Sequence, residues 1–186
     1  DADNKLTRIE LRASIILACV FGLRMFGLFL LLPVLTIYAF DLQGANATNL
    51  GLAVGVYGLT QAVFQIPFGT ASDRIGRKPV ILFGLTVFVI GCGVATYGDH
   101  IYAVLIGRAL QGAGAISAAT IALASDLSRP TQRVKVMAII GSSIGLFFCI
   151  SIVVAPVLAA SVGLDGLFWL AAALAVTAML VMWIMV

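Results

Sequence analysis

Six long apolar runs, separated by short polar links, dominate the chain. They cover residues 13–40, 50–71, 79–98, 101–125, 136–164 and 166–186. A helix rises about 1.5 Å per residue, so about 20 apolar residues cross the roughly 30 Å of hydrocarbon in a bilayer. A cleaved signal peptide is the alternative for the first run, but its apolar part would be shorter and five more runs follow. The pattern therefore predicts an all-α membrane protein with six transmembrane helices.

The polar links differ in charge on the two sides of the predicted membrane. Nine of the eleven Lys and Arg residues lie in the amino-terminal segment, the link between spans two and three, and the link between spans four and five. They are Lys5, Arg8, Arg12, Arg74, Arg77, Lys78, Arg129, Arg133 and Lys135. The other three links carry Asp41, Asp99 and Asp165, with no Lys or Arg. Because basic residues favour the cytoplasmic side of a membrane, both chain ends are predicted to be cytoplasmic.

The amino-acid composition excludes several classes of function. Hydrophobic residues make up 62% of the chain and charged residues 10%, against about 25% charged in soluble domains. The net charge of +3 does not indicate nucleic-acid binding, because the basic residues follow membrane topology. The three cysteines have neither disulfide nor metal spacing. No span interior holds an acid, and His100 is the single histidine, so we expect no enzyme activity, metal or cofactor.

Two features indicate internal organisation. Arg24 in the first span and Arg108 in the fourth are the charges inside predicted spans. Two three-helix repeats of opposite topology, with their first helices beside a shared cavity, would place these arginines in equivalent positions. Glycines also recur at intervals that favour close helix contacts. They are Gly51 with Gly55, Gly141 with Gly145, and the group Gly107, Gly112 and Gly114.

The link at residues 69–82 carries charges that oppose the dipoles of its own helices. Asp73 follows the carboxyl end of the second span, where an acid is unfavourable. Arg77 and Lys78 precede the third span, where bases are unfavourable. Such charges need partners elsewhere in the protein. Asp126, at the cytoplasmic end of the fourth span, is the expected partner of Arg77.

Two glycines in the same link have specific expected roles. Gly69 would let a neighbouring backbone approach closely, and Gly76 would permit a turn with positive φ. The simpler interpretation is an ordinary basic cytoplasmic loop. That interpretation accounts for the bases but not for Asp73 or the glycines.

Polar side chains within the spans are candidates for a central cavity. A mid-span arginine costs about 2.5–3.5 kcal/mol even on insertion scales, so such residues usually face protein or water. Arg108 and Gln111 share one helix face because they are three residues apart. We expect Arg24, Arg108 and Gln111 around the cavity, binding an anionic substrate group or influencing a proton site. The alternative is that the arginines cap buried carbonyl groups between helices.

The second span presents a further polar face, formed by Tyr57, Gln61 and Gln65 at intervals of four residues. Contact with a substrate is one interpretation of this face. Hydrogen bonding of the amides to a neighbouring helix is the other, and it is common in membrane proteins.

Several stretches resemble signatures of the major facilitator superfamily. Its motif A, in the loop after the second helix, is matched by Gly69, Asp73, Arg74, Gly76, Arg77 and Lys78. Its motif B, in the fourth helix, is matched by Val104, Arg108, Gln111, Gly112, Gly114 and Ala115. Leu32-Pro33-Val34 resembles the proline-containing end of helix one in its drug–proton antiporters. The antiporter motif of helix five is matched less well, because Ala155 and Ala159 flank Pro156 where glycines are usual.

The resemblance implies that residues 1–186 form the amino-terminal half of a twelve-helix carrier in a bacterial inner membrane. In such carriers two halves rock about a central site, and the motif A loop locks the outward-facing state. On this chain Asp73 would meet a helix end of the missing carboxy-terminal half, while Arg77 and Asp126 complete a charge relay. Residues Ala155, Pro156 and Ala159 would pack closely against that half.

The function implied is proton-coupled export of a small organic compound. The partners implied are the lipid bilayer, the second half and a small-molecule substrate, with no nucleic acid and no cofactor. A non-transporting scaffold or receptor module and a homodimeric half-transporter are the alternatives.

Overall fold

The computed structural model describes residues 6–97 and 99–185 and is helical almost throughout. Its helices are α1 (Arg8–Tyr38), α2 (Ala47–Ile75), α3 (Arg77–Ala95), α4 (Ile101–Ala113), α5 (Ser117–Asp126) and α6 (Arg133–Met185). Short 3-10 turns lie at Ala39–Asp41 and Pro130–Gln132. Lys5 and the predicted span ends at Gly98 and Val186 lie outside the described residues. The all-α prediction is confirmed.

Five helical stretches of the described chain are long and apolar enough to cross a membrane. They are Arg8–Asp41, Ala47–Ile75, Arg77–Ala95, Ile101–Asp126 and Pro130–Met185. The last has 56 residues, which at about 1.5 Å per residue would extend roughly 84 Å if straight, far beyond one bilayer. It leaves helical geometry at Gly163, where φ is 69° and ψ is −174°. The stretch is therefore two spans, α6a (133–162) and α6b (164–185).

Contacts at the two ends of α6 agree with two crossings. Arg129, four residues before α6, binds Glu10 in the first turn of α1. Trp183, near the end of α6b, accepts a hydrogen bond from Lys78 at the start of α3. Because α1 and α2 each cross once, the starts of α1 and α3 lie on the same face of the molecule. Both ends of α6 therefore lie on that face, and the prediction of six spans is confirmed.

The fourth predicted span differs from expectation, because the chain leaves helical geometry between α4 and α5. A Cβ added at Gly114 would overlap the carbonyl oxygen of Gly84 in α3. The Gly114 carbonyl oxygen accepts a hydrogen bond from Arg24 of α1 at 3.0 Å. The predicted span over 101–125 is present as Ile101–Asp126, but it is interrupted between α4 and α5, which the sequence pattern did not predict. Glycine has low helix propensity, and a side chain from another helix stabilises the carbonyl freed by the break.

Close helix contacts repeat between the two halves of the chain. The tight approaches are Gly22 with Phe147, Gly27 with Ala171, Gly107 with Gly91, and Gly112 with Tyr57. At each contact, a Cβ added to the glycine of the first or fourth span would lie 3.0 Å or less from an atom of the neighbouring residue. The first span thus meets the fifth and sixth, as the fourth meets the second and third. Two inverted three-helix repeats require this exchange of contacts.

Four other glycines make no such contact. Around Gly51 and Gly55 of α2, and Gly141 and Gly145 of α6a, an added Cβ would meet nothing within 4 Å among the described residues. The helix–helix contacts predicted for these glycines are therefore absent from this six-helix unit, whereas those of Gly107, Gly112 and Gly114 are present. One face of α2 and one face of α6a are therefore not covered by another helix of this unit.

Candidate functional site

The turn between α2 and α3 brings together the charges of the 69–82 link. Gly76 alone connects the helices, with φ 102° and ψ 152°, which confirms the expected positive φ. Arg77 pairs with Asp73 across this turn. Its Nε also donates to Oδ2 of Asp126 at 3.1 Å, and its Nη1 donates to Oγ of Ser72 at 2.7 Å. The expected pairing of Arg77 with Asp126 is confirmed.

The guanidinium of this cluster is half-buried, whereas its two carboxylates are mostly exposed. The Arg77 side chain is 22% exposed, but those of Asp73 and Asp126 are 61% and 55% exposed. Ser72 is buried and donates to the carbonyl oxygen of Gly69 at 2.7 Å, so its oxygen is oriented to accept from Arg77. The cluster therefore presents two carboxylates outward around one fixed guanidinium.

Two motif residues make few contacts. Arg74 is exposed and forms no hydrogen bond or ion pair with the part of the chain that the structure describes. At Gly69, an added Cβ would lie 3.5 Å from the Cβ of Ala118, an ordinary van der Waals distance. The close backbone approach expected at Gly69 is therefore not made within residues 6–97 and 99–185.

Lys78 contacts the end of α6b and does not join the Arg77 cluster. Its Nζ donates to the carbonyl oxygen of Trp183 at 3.1 Å and lies 5.7 Å from the centre of the indole ring. A cation beside the last carbonyls of a helix interacts favourably with the helix dipole. Lys78 thus ties the third span to the sixth.

A second ion pair on the same face was not predicted. Glu10 Oε1 accepts from the backbone N–H and Nε of Arg129 at 3.0 and 2.9 Å, and Oε2 accepts from Nη2 at 3.1 Å. The same carboxylate accepts from the backbone N–H of Thr7 at 2.8 Å, which completes a capping box at the start of α1. The Thr7-x-x-Glu10 spacing signalled the cap, but nothing in the sequence signalled Arg129.

Glu10 precedes the apolar part of α1, and its pKa lies well below the ordinary 4.5. The hydrogen bond from the Arg129 side chain is the largest cause, followed by the backbone donors of Thr7 and Arg129. A carboxylate with a lowered folded-state pKa stabilises fully above its ordinary pKa, and this stabilisation is lost as pH falls toward the folded value. Glu10→Gln should therefore lower Tm at pH 7, with a deficit that shrinks as pH falls below 4.5.

Thermal unfolding of the purified protein across this pH range measures the effect. Asp41→Asn, at an exposed acid after α1, is the matched control and should leave Tm unchanged. An equal Tm deficit at every pH would show that the Glu10 charge is not the stabilising feature.

Arg108 is the centre of a buried polar cluster. Its Nε donates to the carbonyl oxygen of Ala53 at 3.3 Å, and its Nη1 donates to Oε1 of Gln111 at 2.8 Å. The guanidinium carbon lies 4.7 Å from the centre of the Tyr57 ring. Nε2 of Gln111 lies 3.2 Å from Sγ of Cys92. One motif B arginine thereby connects α4 to α2, and its glutamine connects α4 to α3.

Arg24 has the corresponding position in the first span. Its Nη2 donates to the carbonyl oxygen of Gly114, and its guanidinium carbon lies 5.5 Å from the centre of the Phe88 ring. Nε and Nη1 of Arg24, and Nη2 of Arg108, have no hydrogen-bond partner in the described protein. Both arginines thus donate to backbone carbonyl groups outside their own helix, and each keeps at least one donor without a partner among the described residues.

The expectation that Arg24, Arg108 and Gln111 line a cavity is not met on the surface of this unit. All three residues are 0% exposed, and contacts with neighbouring helices enclose them. The alternative given by the sequence, carbonyl capping between helices, describes the geometry of the two arginines. A charged arginine side chain in contact with lipid has a high free-energy cost. Burial of the guanidinium among polar groups of the protein avoids that contact.

The polar face of α2 also differs from expectation. Tyr57 is buried, and its hydroxyl has no hydrogen-bond partner among the described residues. Gln61 and Gln65 are half-buried and form no hydrogen bond within the described chain. The interhelical amide bonds favoured for these glutamines are therefore absent here, and their amides are available to other groups.

In the fifth span, the residues around the proline point in different directions. Ala155 and Ala159 are buried within this unit, whereas Pro156 is exposed. The two alanines thus pack inside the six-helix unit and do not form a free surface for another half.

Gly112 of motif B is in tight contact with α2, as described above. No group of three or more His, Cys, Asp or Glu suited to a metal occurs in the described residues.

Six apolar crossings in two inverted repeats, a broken fourth span and an ion-pair cluster at the α2–α3 turn define a polytopic membrane protein of the secondary-transporter class. Residues 17–186 match the family model of the Major Facilitator Superfamily. The chain belongs to this superfamily.

Relatives of this chain are named transporters or resistance proteins. It is 53% identical over 183 residues to the Inner membrane transport protein YajR of Escherichia coli, covering 98% of this chain and 40% of that protein. It is 31% identical over 111 residues to the Quinolone resistance protein NorA of Staphylococcus aureus, covering 59% of this chain and 28% of NorA. The crystal structure of the POT family transporter PepTSo shares the fold, with a TM-score of 0.76 and 15% identity over 92% of this chain and 37% of PepTSo. The chain spans less than half the length of each.

Proposed function

We propose that this six-helix unit is half of an alternating-access carrier and that the Arg77 cluster is its conformational latch. The carrying observation is that one half-buried guanidinium binds both Asp73 of α2 and Asp126 of α5. The acids are more than half exposed, so a helix of another unit can contact Asp73 while Arg77 holds it in place. A latch of this kind needs only a few kcal/mol, because a minor state populated at 0.1–10% corresponds to a gap of that order.

The uncovered faces of α2 and α6a support a second six-helix unit as the partner. Small residues permit close helix approach in lipid, and the glycine pairs on these two faces meet nothing within 4 Å among the described residues. Relatives of this chain are more than twice as long, so the rest of their length is sufficient for a second six-helix unit. Two copies of this chain could also use these faces, and crosslinking of the full-length protein would show whether one chain or two complete the carrier.

The proposed orientation places the Arg77 and Glu10 clusters in the cytoplasm, with the amino terminus. The distribution of basic residues supports it, and the name of YajR supports a bacterial inner membrane as the location. Proton-coupled efflux of a small organic compound is the proposed activity. It rests on the resemblance of Leu32-Pro33-Val34 to antiporter sequences and on the similarity of part of this chain to a quinolone resistance protein, NorA.

The acids of the described chain lie at helix ends or in links, and none lies within a span interior. A proton site inside this unit would therefore use one of these acids, and otherwise it belongs to the partner unit. We propose no catalytic role and no cofactor. The unpaired donors of Arg24 and Arg108 are candidates for a substrate anion once the carrier changes state.

Transport by the full-length protein tests the proposal. Everted membrane vesicles with an acidic lumen should accumulate a fluorescent fluoroquinolone probe added to the external medium, and accumulation should stop when an uncoupler dissipates the pH gradient. Accumulation independent of the gradient would retain the carrier and overturn proton coupling. Absence of any probe flux across a panel of amphipathic cations and anions would favour the scaffold alternative.

A further inference from the structure

A cavity lies at the end of the molecule that carries the amino terminus. It has a volume of about 390 Å³, and residues from the start of α1, the end of α5 and the end of α6b surround it. Its polar side is formed by Arg8 and Arg12, and its apolar side includes Ile16, Leu127 and Met185. None of these residues belongs to the Arg77 cluster or to the buried arginine clusters.

The two arginines of the cavity are exposed and have no ion-pair partner in the part of the chain that the structure describes. They are four residues apart, so their side chains leave α1 on the same face, one helical turn from each other. The neighbouring acid, Glu10, is already occupied by Arg129 and Thr7 and does not neutralise them. Two adjacent guanidiniums suit the oxygens of one phosphate group.

The depth of the cavity matches a lipid better than a soluble anion. The apolar part of α1 begins at Ala13, so Arg8 and Arg12 lie at the level of the lipid headgroups. Ile16 lies about 6 Å deeper, at 1.5 Å per residue. The exposed Ile9 and Ile15 on α1 also face the surroundings at this level. A ligand that fits must be anionic at one end and apolar at the other.

We propose that this cavity binds one anionic phospholipid, with its phosphate between Arg8 and Arg12 and the start of an acyl chain against Ile16, Leu127 and Met185. Basic pockets between transmembrane helices on the cytoplasmic side are suited to anionic headgroups. The assignment to the cytoplasmic leaflet rests on the proposed orientation, but binding itself does not. Occupancy would join the cytoplasmic ends of spans one, four and six through a lipid.

Native mass spectrometry of the full-length protein in detergent tests this binding. Phosphatidylglycerol should bind more tightly than phosphatidylcholine with the same acyl chains, on the order of 25-fold for two arginines at about fivefold each. The double variant Arg8→Gln with Arg12→Gln should reduce this preference to about twofold or less. The control Arg74→Gln with Arg133→Gln removes the same charge at two exposed arginines outside the cavity and should retain it.

Two further measurements separate lipid from other occupants. Ala13→Phe fills the apolar side while keeping both arginines, and it should also remove tight phosphatidylglycerol binding. Inorganic phosphate in large excess should not displace the lipid, whereas displacement would identify a soluble-anion site. Equal losses in the cavity and control pairs would reduce the effect to general surface charge. No preference in the wild-type protein would show that the cavity does not select an anionic lipid. Either result would overturn the proposal, and neither would bear on transport.

Discussion

Replacing Asp73 by asparagine is expected to abolish transport by the full-length protein while leaving its membrane insertion intact. Asparagine keeps the size and a hydrogen-bonding oxygen but cannot pair its charge with Arg77. Arg77 would still bind Asp126 and Ser72, so the helices stay in place. The ion pair between Asp73 and Arg77 across the α2–α3 turn would be lost. We expect no flux above the background of vesicles that lack the protein.

Initial rates in vesicles, normalised to the amount of inserted protein, measure this effect. Asp41→Asn is the matched control, because Asp41 is an exposed acid in the link after α1 and belongs to no described ion pair. Wild-type flux in Asp73→Asn would contradict the latch.

Replacing Gly112 by alanine is expected to prevent correct packing of the fourth span. The new Cβ would overlap the carbonyl oxygen of Tyr57 and Oγ1 of Thr60, and would lie 2.9 Å from the Tyr57 carbonyl carbon. These are mainly backbone atoms of a neighbouring helix, which cannot rotate away as a side chain can. Overpacking of this kind commonly costs about 1–3 kcal/mol, and backbone clashes lie at the upper end or beyond. We expect most of the folded protein to be lost.

Size-exclusion chromatography of detergent extracts before and after heating measures the folded fraction. Gly93→Ala is the control, because a Cβ at Gly93 of α3 meets nothing within 4 Å of the described residues. That substitution should leave stability unchanged or raise it slightly, because alanine favours helix more than glycine does. Similar behaviour of the two variants would show that the close approach of α4 to α2 is not needed for folding.

The spans and the charged link could be predicted because their signals are local. Apolar length sets the number of crossings, and a single glycine between Asp73 and Arg77 sets a sharp turn. The pairing of Arg77 with Asp126 also followed from charge, because a base at a helix start is unfavourable beside its own helix dipole and favours an acid from another helix. Contacts between residues far apart in sequence were less accessible. The Glu10–Arg129 pair joins residues 119 apart, and neither carries a signal for the other.

Glycine spacing predicted some contacts correctly and others wrongly for one reason. Gly107 and Gly55 both lack a Cβ, so the sequence shows only that close approach is permitted at each position. Which glycine is covered depends on where the other helices lie. The same limit applies to Gln61 and Gln65, whose amides could have bonded to a neighbouring helix but do not within the described chain.

The sequence by itself determined a six-span helical membrane protein with a charged turn after its second span, because lipid requires long apolar segments and leaves charges at the boundary. The tertiary structure decided the break at Gly114, the burial of Arg24 and Arg108, and the uncovered faces of α2 and α6a. These features depend on which groups of different helices meet in space. A buried carbonyl group that has lost its helical hydrogen bond is stable only where a donor from another helix reaches it. No local sequence pattern specifies such a long-range contact.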